Sequence, residues 1–155
     1  MSLDPIGTLL GVIADLVGPL AWRMSEEDPL RDLRKRRLLW VDDHPEGNPS
    51  EAAALRSMGL SITTVGSNED ALRSLARDRY DLVISDMRRD EGATAGYDLL
   101  QAIRKDDQRM PFVIYTGSDS PDHRRRAIEL GAQGSTSRPN ELLGLVVNLL
   151  RGTTR

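Results

Sequence analysis

From Arg37 onward, short apolar runs alternate with amphipathic stretches. The apolar runs are RLLWV leading into Asp42, SITTVG at 61–66, DLVIS leading into Asp86, FVIYT at 112–116, and a weaker fifth near Gly134–Ser137. Between and after them lie EAAALRSM, EDALRSLARD, YDLLQAIRK, DHRRRAIEL and NELLGLVVNLL, each with its apolar residues on one helical face. Strand and helix patterns in strict turn predict a parallel sheet with right-handed crossovers. The fold class expected is therefore α/β, a doubly wound five-stranded parallel sheet.

The element boundaries carry their own chemistry. Ser67 stands three residues before Asp70, a capping-box spacing, and Ser120 precedes Pro121 at a first helical position. Gly59 and Gly131 follow helical runs, where a left-handed residue ends a helix well. In a doubly wound sheet ligands bind beyond the carboxyl ends of the strands. Functional residues are thus expected after strands one, three, four and five.

The first part of the chain follows a different pattern. Ile6 to Trp22 is 17 residues with Asp15 as its one charge, and RMSEEDPLRDLRKRR after it reads as a linker or short solvated helix. This divides the chain into an apolar helical segment and charged linker at 1–36, a domain at 37–151 and a tail at 152–155. Seventeen residues lie at the short limit for crossing a bilayer, and Asp15, Pro19 and three glycines weaken such a helix. Arg23 and the later RKRR would keep the domain on the cytoplasmic side. No positive region precedes the apolar stretch, which argues against a cleaved signal. Membrane attachment, dimerisation or packing on the domain, and disorder stay open as readings of residues 6–22.

Composition narrows the function classes. With 155 residues, 39% hydrophobic and 29% charged, the chain suits one soluble domain plus an appendage. A net charge of -3 gives no basic excess, so no nucleic-acid partner is expected. The absence of cysteine excludes disulfides, thiolate metal sites and cysteine catalysis, and fits a cytoplasmic location.

Three carboxylates carry the candidate chemistry. Asp42 and Asp43 end strand one and Asp86 ends strand three, so the topology brings them to one edge. Like charges that close destabilise one another unless a cation neutralises them, and magnesium takes oxygen ligands of this kind. Asp43 and Asp86 are the expected ligands, with Asp42 behind them.

LLWVDDHP, DLVISDM, FVIYTGS and GAQGSTSRP, in this order and spacing, resemble the receiver domain of bacterial two-component response regulators over roughly Arg37 to Leu150. The resemblance implies the flavodoxin-like receiver fold. It also implies that Asp42 and Asp43 bind Mg2+, that Asp86 accepts phosphate from a histidine kinase or phosphotransfer protein, and that Thr116 hydrogen-bonds the phosphoryl group. The backbone carbonyl of Arg88 takes the family's third metal-ligand position.

Three departures mark the chain as atypical. Arg138 before Pro139 replaces the family's lysine, keeping charge but changing geometry. Ser135 stands where an aromatic switch residue is usual, and MRRDEGATAG replaces a shorter loop, setting Arg88, Arg89, Asp90 and Glu91 around the pocket mouth. His44 and His123 read as surface residues, and Arg124–Arg126 as a solvated helix face.

The function expected is a stand-alone receiver phosphorylated on Asp86 and signalling through protein contacts, since only Arg-Gly-Thr-Thr-Arg follows Leu150. The alternative is a degenerate receiver serving as a phosphorylation-independent interaction or dimerisation module. An aspartate-based phosphatase would want a second acid two residues after Asp86, where Arg88 stands, so no enzyme is expected.

Overall fold

The computed structural model describes residues 30–118 and 120–152. The five expected strands form one parallel sheet: β1 (Arg37–Val41), β2 (Ser61–Val65), β3 (Leu82–Ser85), β4 (Phe112–Tyr115) and β5 (Gly134–Thr136). Their order, β2-β1-β3-β4-β5, is that of a doubly wound, flavodoxin-like receiver sheet. The connecting helices are α1 (Pro49–Ser57), α2 (Asn68–Arg77), α3 (Ala95–Asp106), α4 (Pro121–Glu129) and α5 (Pro139–Gly152).

Residue alternation splits the core into two layers. Leu38, Trp40, Leu82, Ile84 and Val113 face α1 and α5, packing against Leu55, Met58, Leu142 and Val146. Leu39, Val41, Val83, Phe112 and Ile114 face the opposite side and meet Leu99, Leu100 and Ile103 of α3 with Ala71 and Ala127. β2 is half exposed along its length, which explains its threonine-rich composition as an edge strand.

The local signals act as expected. Ser67 Oγ accepts the Asp70 N–H at 3.1 Å and Ser120 Oγ accepts the His123 N–H at 3.2 Å, capping α2 and α4. Gly59 and Gly131 adopt φ of 93° and 100°, the left-handed region that lets the chain turn back after α1 and α4.

Packing also reaches further back than Arg37. Arg31–Leu33 form a single 3-10 turn, and Leu33, at 0% exposure, sits in the layer beside α5. One apolar side chain in the charged run therefore belongs to the core, although its neighbours are solvated. The apolar stretch at residues 6–22 lies outside the described residues. Among those described, no helix is long and apolar enough to cross a membrane.

Candidate functional site

The carboxyl ends of β1, β3 and β4 converge on a cavity of about 160 Å3 lined by Asp42, Asn48, Asp86, Tyr115, Thr116, Gly117 and Ser137. Parallel register is the cause. Trp40 pairs with Ile84 and Val41 with Ser85, so Asp42 and Asp86 leave the sheet side by side. The Asp86 N–H bonds the Val41 carbonyl at 2.9 Å, continuing the ladder into the site.

Asp42 is buried, and its carboxylate accepts the His44 N–H at 2.8 Å and the Asn48 side-chain amide at 2.7 Å. Asn48 immediately precedes α1, whose first residue is Pro49, and its side chain makes no capping bond to the helix, so its amide is left for Asp42. Asp43 accepts the Asp90 N–H at 2.6 Å on Oδ2 and meets His44 Nδ1 at 2.8 Å on Oδ1. The Asp90 N–H foremost, with His44, holds the Asp43 carboxyl below the usual range, and the same contact pushes the His44 imidazole up.

Asp86 is half-buried. Burial first, and then the neighbouring Asp42 carboxylate, push its carboxyl above the usual range, while the Met87 N–H and Arg89 oppose the shift. Met87 N–H donates to Asp86 Oδ1 at 2.7 Å. The close approach of α3 to this strand end requires Gly96, because a Cβ there would lie 2.8 Å from the Asp86 carbonyl oxygen.

The predicted residues fall into distinct groups. Asp42, Asp86 and Thr116 share the cavity. Among the described residues, the side chains that could converge on one cation are Asp42, Asp43 and His44, so the surface histidine joins the acidic pair and Asp86 stands outside that close group. Oxygen donors from adjacent aspartates suit a hard divalent cation, and the acidic pocket is compatible with Mg2+. Arg138 does not line the cavity. Its side chain is 65% exposed and donates to Glu141 Oε1 at 3.1 Å.

The loop after β3 departs from the expected mouthful of charges. Arg88 and Asp90 are exposed, but Arg89 turns inward with a side-chain exposure of 0%. The reason is its set of partners, Ser85, the Asp86 carbonyl, Asn68 and Glu91, which a solvated arginine would lack. Asn48, Tyr115 and Ser137 were also not singled out from the sequence. Asn48 carried a usable signal, as a capping-type residue before proline at a helix start.

A family model described as response regulator receiver domain matches residues 38–148. Among curated proteins, the chain is 30% identical over 115 residues to the sensor histidine kinase RcsC of Escherichia coli, covering 74% of this chain and 12% of that protein. It is 29% identical to the methanol utilization control regulatory protein MoxX of Paracoccus denitrificans, covering 78% of this chain and 56% of the relative. The chain thus spans from about an eighth to just over half of these relatives' length.

Solved structures agree with the fold. The receiver domain of HemR from Leptospira biflexa matches with a TM-score of 0.67 and 26% identity, covering 78% of this chain and 98% of that one. TrrA from Thermotoga maritima, solved in complex with Mg(2+)-BeF, matches with a TM-score of 0.62 and 26% identity, covering 74% and 98%.

Proposed function

The chain belongs to the response regulator receiver family, and from that membership we propose that Asp86 accepts a phosphoryl group with Mg2+ held at the acidic pocket. The observation that carries this reading is the shared cavity of Asp42, Asp86 and Thr116 at the carboxyl ends of β1, β3 and β4.

In the proposed reaction a carboxylate oxygen of Asp86 attacks phosphorus, an O–P bond forms, and the bond to the donor breaks. With a phosphohistidine donor the N–P bond cleaves and the imidazole nitrogen takes back its electron pair. The product is an aspartyl phosphate. Burial and the neighbouring Asp42 carboxylate push the Asp86 carboxyl up, and a cation held beside it would oppose that shift and favour the ionised form that attacks. Thr116, at the exit of β4, supplies a hydroxyl on the cavity wall to hydrogen-bond a phosphoryl oxygen.

Asp42, Asp43, Asp86 and the Arg88 carbonyl would hold the cation. When bound, Mg2+ offsets negative charge on the phosphoryl oxygens. Asn48 keeps Asp42 oriented toward that position through its 2.7 Å bond. Arg138 supplies a cation to the product once it leaves Glu141.

Receiver domains take phosphate from histidine kinases or phosphotransfer proteins, and one of these is the proposed donor. Output passes through contacts with a protein partner. The test is intact-mass spectrometry after incubation with acetyl phosphate, with and without magnesium, on wild type and Asp86→Ala. Gain of one phosphoryl mass, dependent on magnesium and absent from the variant, is expected. No gain in wild type would overturn the reading and leave a phosphorylation-independent interaction module.

A further inference from the structure

Burying a guanidinium costs several kcal/mol unless every donor finds an acceptor, so a fully buried arginine beside a reactive carboxylate needs a reason. Arg89 is that residue, with 0% side-chain exposure one position after the exposed Arg88. Its Nη1 donates to Ser85 Oγ at 2.7 Å and to the Asp86 carbonyl at 3.0 Å. Its Nη2 donates to Asn68 Oδ1, and its Nε donates to Glu91 Oε1 at 3.1 Å.

These contacts close two rings around the end of β3. In the first, Ser85 Oγ accepts from Arg89 and donates to the Asp86 carbonyl at 2.9 Å, while Arg89 bonds that same carbonyl. In the second, the Glu91 carboxylate takes the Nε of Arg89 and the backbone N–H of Asn68 at 2.9 and 3.0 Å, at the first residue of α2. An acid at a helix start is favoured by the helix dipole, so Glu91 serves both the guanidinium and α2.

The loop is shaped to deliver this side chain. Arg89 and Gly92 exchange backbone bonds of 3.2 and 2.8 Å, closing a tight turn whose Asp90 N–H is held by Asp43. Asn68 anchors the far end by donating to the Ala95 carbonyl at 3.0 Å. The backbone around Asp86 is thereby fixed from both sides, with its N–H on Val41 and its carbonyl on Ser85 and Arg89.

We propose that Arg89 is a positioning residue for phosphoryl transfer: buried behind β3, it locks the Asp86 backbone to the start of α2 so that the carboxylate faces the cavity in one orientation. This deepens the reading of Asp86 as the acceptor and rests on it. A planar fork is needed, because only it can reach Ser85, the Asp86 carbonyl and Asn68 together. Misplacing a reacting atom by about 1 Å costs up to about a hundredfold in rate, which sets the scale of the effect.

The test measures initial rates of Asp86 modification on the full chain against acetyl phosphate concentration, in magnesium, with melting curves in the same buffer. Arg89→Gln is expected to lower the maximal rate about ten- to a hundredfold. Half-saturating donor concentration should stay within about twofold, since the lost interaction orients the nucleophile and does not bind the donor. Arg89→Lys should recover part of the rate by reaching some of the same acceptors. Asn68→Ala, which removes one contact of the guanidinium together with the Asn68 bond to the Ala95 carbonyl and keeps the arginine, should give an intermediate loss with the fold retained, and so serves if Arg89→Gln does not fold. A folded Arg89→Gln or Asn68→Ala that reacts at the wild-type maximal rate overturns the positioning role alone. A wild type that takes no phosphoryl group overturns the acceptor reading and this role with it.

Discussion

Arg138, the residue before α5, lies against Glu141 in the first turn of that helix, its Nη2 3.1 Å from Oε1, and so the cation expected beside the phosphoryl group is held by a carboxylate of the helix that follows it. Glu141 also receives the Thr136 hydroxyl and stands 3.4 Å from Arg124 Nη2, linking β5, α4 and α5 at one point. A phosphoryl group on Asp86 would compete with Glu141 for Arg138.

Glu141→Gln should therefore release Arg138 toward the cavity and lengthen the lifetime of the aspartyl phosphate, by roughly the worth of a weakened exposed ion pair, about two- to fivefold. Arg138→Ala should shorten it. The decay of phosphorylated protein, followed by mass spectrometry, reads both, and equal decay in all three proteins would remove Arg138 from the chemistry.

The contact between His44 and Asp43 sets a pH dependence. Because Asp43 raises the His44 pKa above its ordinary 6.5, the pairing contributes its full stability below the unfolded value and loses it as pH rises through the folded one. NMR titration of His44 in magnesium-free buffer should give a midpoint above 6.5 that falls toward it in Asp43→Asn. An unchanged midpoint would mean the two side chains are not paired in solution.

Leu33→Ala should destabilise the domain by about 2–5 kcal/mol, the range for emptying a fully buried leucine site. A urea titration checks this. A change below about 0.5 kcal/mol, the usual size of a surface effect, would place Leu33 outside the core.

Gly96→Ala should cost about 1–3 kcal/mol from overpacking, since the new methyl would press on the Asp86 carbonyl at 2.8 Å. It should also slow modification of Asp86, because the displaced backbone belongs to the acceptor itself. A variant matching wild type in both melting temperature and rate would show that α3 can back away without consequence.

What could be read from the sequence was local or periodic. Apolar alternation set the two faces of each strand, and the 3.6-residue spacing set the inner face of each helix, because both depend on geometry repeated within a few residues. The Ser67 and Ser120 caps and the left-handed Gly59 and Gly131 were legible for the same reason. So was the convergence of Asp42 and Asp86, since parallel strands with right-handed crossovers bring their carboxyl ends together whatever the loops do. The tertiary structure alone decided which of two adjacent arginines enters the fold. Burial of Arg89 depends on Asn68, 21 positions away, together with Ser85 and Glu91, and no local pattern distinguishes it from Arg88. The same holds for Arg138, which turns to Glu141 and does not line the cavity, and for Leu33, which is apolar within a charged run and buried because α5 packs beside it. A charged side chain goes where its partners' combined geometry repays desolvation, and that geometry exists only once the chain has folded.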